Sequence, residues 1–111
     1  TFILEATKEV PRRVSHPSRK TIGIRVPDHA VMLGLLEQMG APLLSTTLIP
    51  KGEDDALNDA DAIRERYDHD LAAIIDAGAC PHSPTTVIDL TGAEPVVVRV
   101  GRGDPATLGL A

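Results

Sequence analysis

Aromatic side chains are nearly missing from this 111-residue sequence: Phe2 and Tyr67 are the only two, and there is no tryptophan. A core built without them is aliphatic, and reading of single-stranded nucleic acid by stacking bases on rings is excluded. Cysteine is represented once, by Cys80, so no intramolecular disulfide can form. That usage is expected of a protein in a reducing cytoplasm. No apolar run approaches the roughly 20 residues of a membrane-spanning helix. No charged-then-apolar stretch opens the chain in the manner of a secretory signal. The chain opens instead on Thr1-Phe2-Ile3-Leu4, which already reads as strand, and the start is expected to be a cut within a domain.

What is present is ordinary for a globular protein: 42% hydrophobic and 24% charged residues, a balance that excludes a disordered chain. The length allows one domain and a core with little margin. The net charge of −5 is unevenly placed. Residues 1–25 hold Lys8, Arg12, Arg13, Arg19, Lys20 and Arg25 against Glu5 and Glu9. Residues 53–76 hold nine acids against Arg64 and Arg66. The overall field repels polyanions, while one end of the sequence is suited to hold one.

The expected elements alternate between strand and helix. Phe2–Ala6 reads as a strand, followed by a basic loop, Thr7–Lys20, whose Pro11 and Pro17 disfavour a continuous helix. Thr21–Val26 is a strand closed by Pro27. Asp28 is placed to cap a helix carrying Val31, Leu35, Leu36 and Met39, which stops at Gly40. Leu43–Leu48 is expected as a strand with Ser45, Thr46 and Thr47 inside it. After the acidic loop Pro50–Asn58, Asn58 or Asp59 caps a helix to about Tyr67, with Ala62 and Ile63 on its buried side. Leu71–Asp76 reads as a short buried strand. Thr85–Leu90 and Pro95–Val100 form a hairpin through Thr91-Gly92-Ala93-Glu94. A short C-terminal helix follows Pro105. The fold class is α/β, a mixed twisted sheet with flanking helices.

Polar residues gather where strands meet loops: Arg25, Ser45 to Thr47, Thr85 with Thr86, and Arg99. Ligands of α/β sheets sit outside strand ends, and Arg offers carboxylates and phosphates a planar fork of donors. Taken singly, a strand-end Arg is also an ordinary surface group, and Thr in a strand is ordinary β-propensity. The Ser-Thr-Thr run says more, because hydroxyls inside a buried strand need partners. His16, His29, His69, His82 and Cys80 match no zinc spacing, so no metal site is expected. Arg102-Gly103-Asp104 reads as a turn. Gly101-Arg102-Gly103 lacks the third glycine of a dinucleotide fingerprint.

Four segments, in order and along nearly the whole chain, resemble the YrdC/YciO family. Thr1-Phe-Ile-Leu with Lys8-Glu-Val-Pro-Arg-Arg13 is similar to the strand and loop after that family's Pro-Gly-Pro-x-Thr motif. Thr21-Ile-Gly-Ile-Arg25-Val-Pro27 resembles its Thr-x-x-x-Arg-x-Pro strand. Pro84-Thr85-Thr86-Val87-Ile88-Asp89 resembles its Pro-Ser-Thr-Val-Val-Asp strand, and Arg99-Val100-Gly101 its closing Arg-x-Gly. Where many members carry Ala-Pro-Ser-Ala-Asn, this chain has Ser45-Thr46-Thr47-Leu48-Ile49, a variant similar to the YciO branch. An isoleucine cannot replace an amide that hydrogen-bonds a nucleotide.

The resemblance implies a YrdC-like fold, with residues 1–111 as its C-terminal portion and the N-terminal portion absent. It implies a nucleotide-binding domain related to the L-threonylcarbamoyladenylate synthases of tRNA threonylcarbamoyladenosine modification. That reaction joins L-threonine, bicarbonate and ATP, with Mg2+ bridging the phosphates, and releases pyrophosphate. Thr21, Thr47 and Arg99 would bind the nucleotide; Arg25, Ser45 and Thr85 would bind the amino acid. The family's Lys-x-Arg motif is not in this sequence, so the 111 residues alone are expected to be inactive. The alternative is a double-stranded RNA or tRNA module in translation without catalysis. Lys8, Arg12, Arg13, Arg19 and Lys20 would then contact phosphates.

Overall fold

The computed structural model describes residues 1–110. Their contacts divide into two units, one of Thr1–Pro27 with the segment from Ser83 onward, the other of Asp28–His82.

The first unit is a four-stranded sheet. Its strands are β1 (Phe2–Glu5), β2 (Thr21–Ile24), β3 (Val87–Asp89) and β4 (Val96–Arg99), in the order β2-β1-β3-β4. β1 runs antiparallel to β2, pairing Phe2 with Ile24 and Glu5 with Thr21. It runs parallel to β3, pairing Phe2 with Ile88. β3 and β4 form the expected antiparallel hairpin, with a register shift beside Val87 and Ile88. The mixed α/β class therefore stands. Successive side chains of a strand point to opposite faces. That register puts Phe2, Leu4, Ile22, Ile24 and Ile88 on one face, and Ile3, Glu5, Thr21, Gly23 and Asp89 on the other. Ile88, at 3% exposure, anchors the apolar face.

The basic connection between β1 and β2 is held against the sheet at its base. Ala6 N–H donates to Lys20 C=O (2.8 Å) and His16 N–H to Thr21 C=O (2.8 Å). Arg12–Val14 makes one 3-10 turn after Pro11. Pro11 sits at the N-cap of that turn, and no continuous helix spans the connection, as expected.

The second unit holds α1 (Ala30–Met39) and α2 (Ala60–Tyr67). α1 stops at Gly40, whose left-handed φ of 61° closes the last turn through Gly40 N–H to Leu36 C=O. Its N-cap is His29, not Asp28. The helix begins a residue later than expected, leaving the Asp28 carboxylate outside capping position. Met32, Leu35 and Leu36 form its half-buried stripe, while Val31 and Met39 are exposed. α2 is capped by Asp59, which accepts from Asp61 N–H (2.9 Å).

Two expected strands are not strands. Leu43–Leu48 and Leu71–Asp76 lie outside any ladder, and Leu44 (77%) and Ile75 (59%) are largely exposed. An apolar β-branched run becomes a strand only when a neighbouring strand takes its N–H and C=O groups. Leu48 C=O accepts from Leu57 N–H (3.0 Å), but among the described residues no strand pairs along either segment.

Candidate functional site

The polar face of the sheet has two ends. At the first, β1 begins, β2 finishes, and the segments before β3 and after β4 cross. Thr1 Oγ1 lies 2.9 Å from Thr85 Oγ1. Arg99 donates from Nε to Thr85 C=O (2.9 Å), and its terminal nitrogen reaches Thr85 Oγ1 (3.4 Å). Thr1 N–H donates to Thr86 C=O (2.8 Å). Arg25 follows Ile24, which pairs with Phe2, so it leaves β2 at this same end of the sheet. Such a combination of cations and a hydroxyl suits a carboxylate or phosphate.

The backbone beneath this end is locked. Thr86, 7% exposed, donates its hydroxyl proton to Gly103 C=O. The same oxygen accepts from Gly101 N–H (2.8 Å), and Arg102 N–H donates to Pro84 C=O (3.0 Å). The two segments approach so closely that a Cβ on Gly101 would lie 2.7 Å from Thr85 O.

The other end is an open cleft of about 730 Å³. Its floor is Ile3, Glu5, Thr21, Gly23 and Asp89; Arg13, His16 and Arg19 line its side. Asp89 accepts from both the N–H (2.8 Å) and the hydroxyl (2.6 Å) of Thr91. Those bonds, with a smaller contribution from Arg19, hold its pKa below the ordinary aspartate value. His16 shapes the wall: its Nδ1 accepts from Arg19 N–H (3.1 Å) and Ser18 N–H (3.3 Å). Thr21 and Arg25 share this face but lie four residues apart, about 13 Å along an extended strand.

The expected site residues thus fall into groups. Arg99 bonds Thr85 at one sheet end, Arg25 leaves β2 at that end, and Thr21 lies in the cleft. Ser45 and Thr47 belong to the second unit and are exposed. Their hydroxyls are not inside a buried strand, which corrects that expectation: the segment has no ladder to bury it. Lys8, Arg12, Arg13, Arg19 and Lys20 are all exposed, and none forms an ion pair among the described residues. The sequence reading treated Thr86 as ordinary β-propensity and passed over Asp89. Asp89-Leu-Thr91-Gly92 carries a readable sign, since Asp commonly bonds the backbone two residues on. Thr86 carries none; its role needs the crossing of Gly101. Among the described residues no cluster of His, Cys, Asp and Glu suited to a metal occurs. No described helix is long and apolar enough to cross a membrane.

A four-stranded mixed sheet accompanied by two helices defines the α/β class. Residues 1–101 match the Sua5/YciO/YrdC family model, described as "Telomere recombination", and the chain belongs to that family. It is 49% identical over 104 residues to "Uncharacterized protein YciO" of Escherichia coli K12, covering 94% of this chain and 50% of that protein. The crystal structure of E. coli YciO superposes with a TM-score of 0.82 at 48% identity, over 94% of this chain and 50% of that one. A threonylcarbamoyl-AMP synthase of Mus musculus is 30% identical over 98 residues, covering 82% of this chain and 34% of that enzyme. The chain spans about half the length of the YciO relatives it matches.

Proposed function

We propose that this chain supplies part of a nucleotide-binding site of the kind used by L-threonylcarbamoyladenylate synthases. The observation that carries the reading is Arg99 bound to the Thr85 carbonyl and facing its hydroxyl, with Arg25 leaving β2 at the same end of the sheet. The distant relationship to threonylcarbamoyl-AMP synthases supports it. In this reading the strand-end guanidinium groups neutralise carboxylate and phosphate oxygens, and Thr85 orients the amino acid. The nucleotide extends along the polar face toward Thr21, with magnesium arriving as part of the ATP substrate. A threonine carbamate oxygen attacks the α-phosphorus, the bond to the bridging oxygen breaks, and pyrophosphate leaves with that electron pair. The protein's share is positioning and charge neutralisation.

The test is thermal unfolding of the protein with MgATP. Ligand at 100 times Kd stabilises by about 2.7 kcal/mol. Arg25→Ala and Arg99→Ala are each expected to abolish that protection while leaving unliganded stability near wild type. Absence of protection in the wild-type protein overturns the reading.

A second reading rests on the five exposed cations of the β1–β2 connection, which lack ion-pair partners among the described residues. As a double-stranded RNA or tRNA contact they would give binding that weakens steeply with salt. Salt-sensitive duplex retention, lost on replacing Arg12 and Arg13 and unaccompanied by ATP protection, would favour it.

A further inference from the structure

We propose that Thr86 is a positioning residue, whose buried hydroxyl holds Arg99 and Thr85 in the arrangement that receives the anion. The inference rests on the reading of that sheet end as a ligand site.

Three successive carbonyls cross beneath Arg99, and each is taken by a different partner. Pro84 C=O accepts from Arg102 N–H, Thr85 C=O from Arg99 Nε–H, and Thr86 C=O from Thr1 N–H. The carbonyl bonds alone leave the segment after β4 tethered at Arg99 and Arg102. The hydroxyl of Thr86 supplies the remaining ties, on either side of Arg102, donating to Gly103 C=O and accepting from Gly101 N–H. A hydroxyl has one proton and two lone pairs, so one side chain can serve both groups. Gly101 allows the approach: a side chain there would collide with the Thr85 backbone. With the crossing fixed, Arg99 has little choice of direction. Its Nε is bound to Thr85 C=O, leaving the terminal nitrogens to face the Thr85 hydroxyl and a guest. Thr86 touches no ligand in this scheme. It acts through the two residues that do.

Thr86→Val keeps the shape and removes the hydroxyl; Thr86→Ser keeps the hydroxyl and removes a methyl. The direct readout is solvent exchange of the Arg99 Nε–H, followed by NMR. Exchange is expected to be slow in wild type and Thr86→Ser and fast in Thr86→Val. Affinity for MgATP and for inorganic pyrophosphate is expected to fall about tenfold in Thr86→Val and to be restored in Thr86→Ser. A folded Thr86→Val variant with slow Nε–H exchange overturns the inference, as does equal loss of affinity in both variants. Should Thr86→Val fail to fold, wild-type exchange under increasing denaturant decides. Arg99 Nε–H and Gly101 N–H are expected to open together, and separate openings overturn the proposal. Wild-type protein that binds neither probe refutes the ligand site, while the exchange measurement still judges the clamp.

Discussion

The two units of this chain hold themselves together by different means. In the sheet unit, ties join residues far apart in sequence: Thr1 to Thr86, Thr86 to Gly101 and Gly103, Asp89 to β1 through the ladder. In the unit of Asp28–His82, α1 and α2 are secured mainly by their own turns and caps. Apolar residues stay exposed in both, Leu44 and Ile75 in this unit, Val26 and Val100 in the sheet unit, so exposure does not separate them. The lesson concerns where sequence changes should hurt. Long-range crossings tolerate little intrusion because two backbones share the space. Local helices tolerate surface change and respond to propensity.

Glycine replacement makes the contrast sharpest. Gly101→Ala drives a methyl against backbone that cannot rotate away, so unfolding by denaturant should reveal a loss of about 3 kcal/mol or more. Gly34→Ala, within α1 with nothing near its Cβ position, should gain about 0.5–1 kcal/mol from helix propensity. If both destabilise, or Gly101→Ala is neutral, the distinction between crossing and helix fails. A smaller effect lies at the start of α2. Asp59→Ala removes the bond to Asp61 N–H and should cost about 1 kcal/mol. That loss should appear as fraying of α2, read by amide exchange in residues 60–63, with the sheet amides unchanged.

Which parts were legible follows from the range of the forces involved. The hairpin and Gly40 as a stop are decided by neighbours in sequence, and local chemistry is enough to find them; it narrowed the cap of α2 to Asn58 or Asp59, and the structure has Asp59. The expectation at Leu43–Leu48 and Leu71–Asp76 failed because their apolar, β-rich composition says that a partner is wanted, not that one is present. The same limit applies to the site. Arg25 and Arg99 announce themselves as cations at strand ends. Thr86 does not, because its meaning comes from a backbone segment 15 residues later. Ile3 and Asp89 become cleft floor only once the parallel register of β1 and β3 is known.

The smallest expected effect compares two acids whose pKa values are both held low, by different neighbours. Glu53 is lowered by its hydrogen bond from Arg66 and, to a lesser degree, by that group's charge. Asp89 is lowered chiefly by the neutral hydroxyl and N–H of Thr91. A carboxylate with a depressed folded pKa contributes stability above its unfolded pKa. That contribution is lost as pH falls through the folded value, here below about pH 4. Asp89→Asn and Glu53→Gln should each flatten the acid limb of the stability curve. Raising salt from about 0.1 M to about 1 M shortens the screening length from ~10 to ~3 Å. The Glu53 carboxyl, followed by NMR, should then titrate closer to the ordinary glutamate value. Asp89 should move less, because a neutral donor presents no charge to screen and Arg19 contributes least among the causes. Equal movement of the two would show that Asp89 is governed by the basic loop after all. The loop, not the hairpin turn, would then set the electrostatics of the cleft floor.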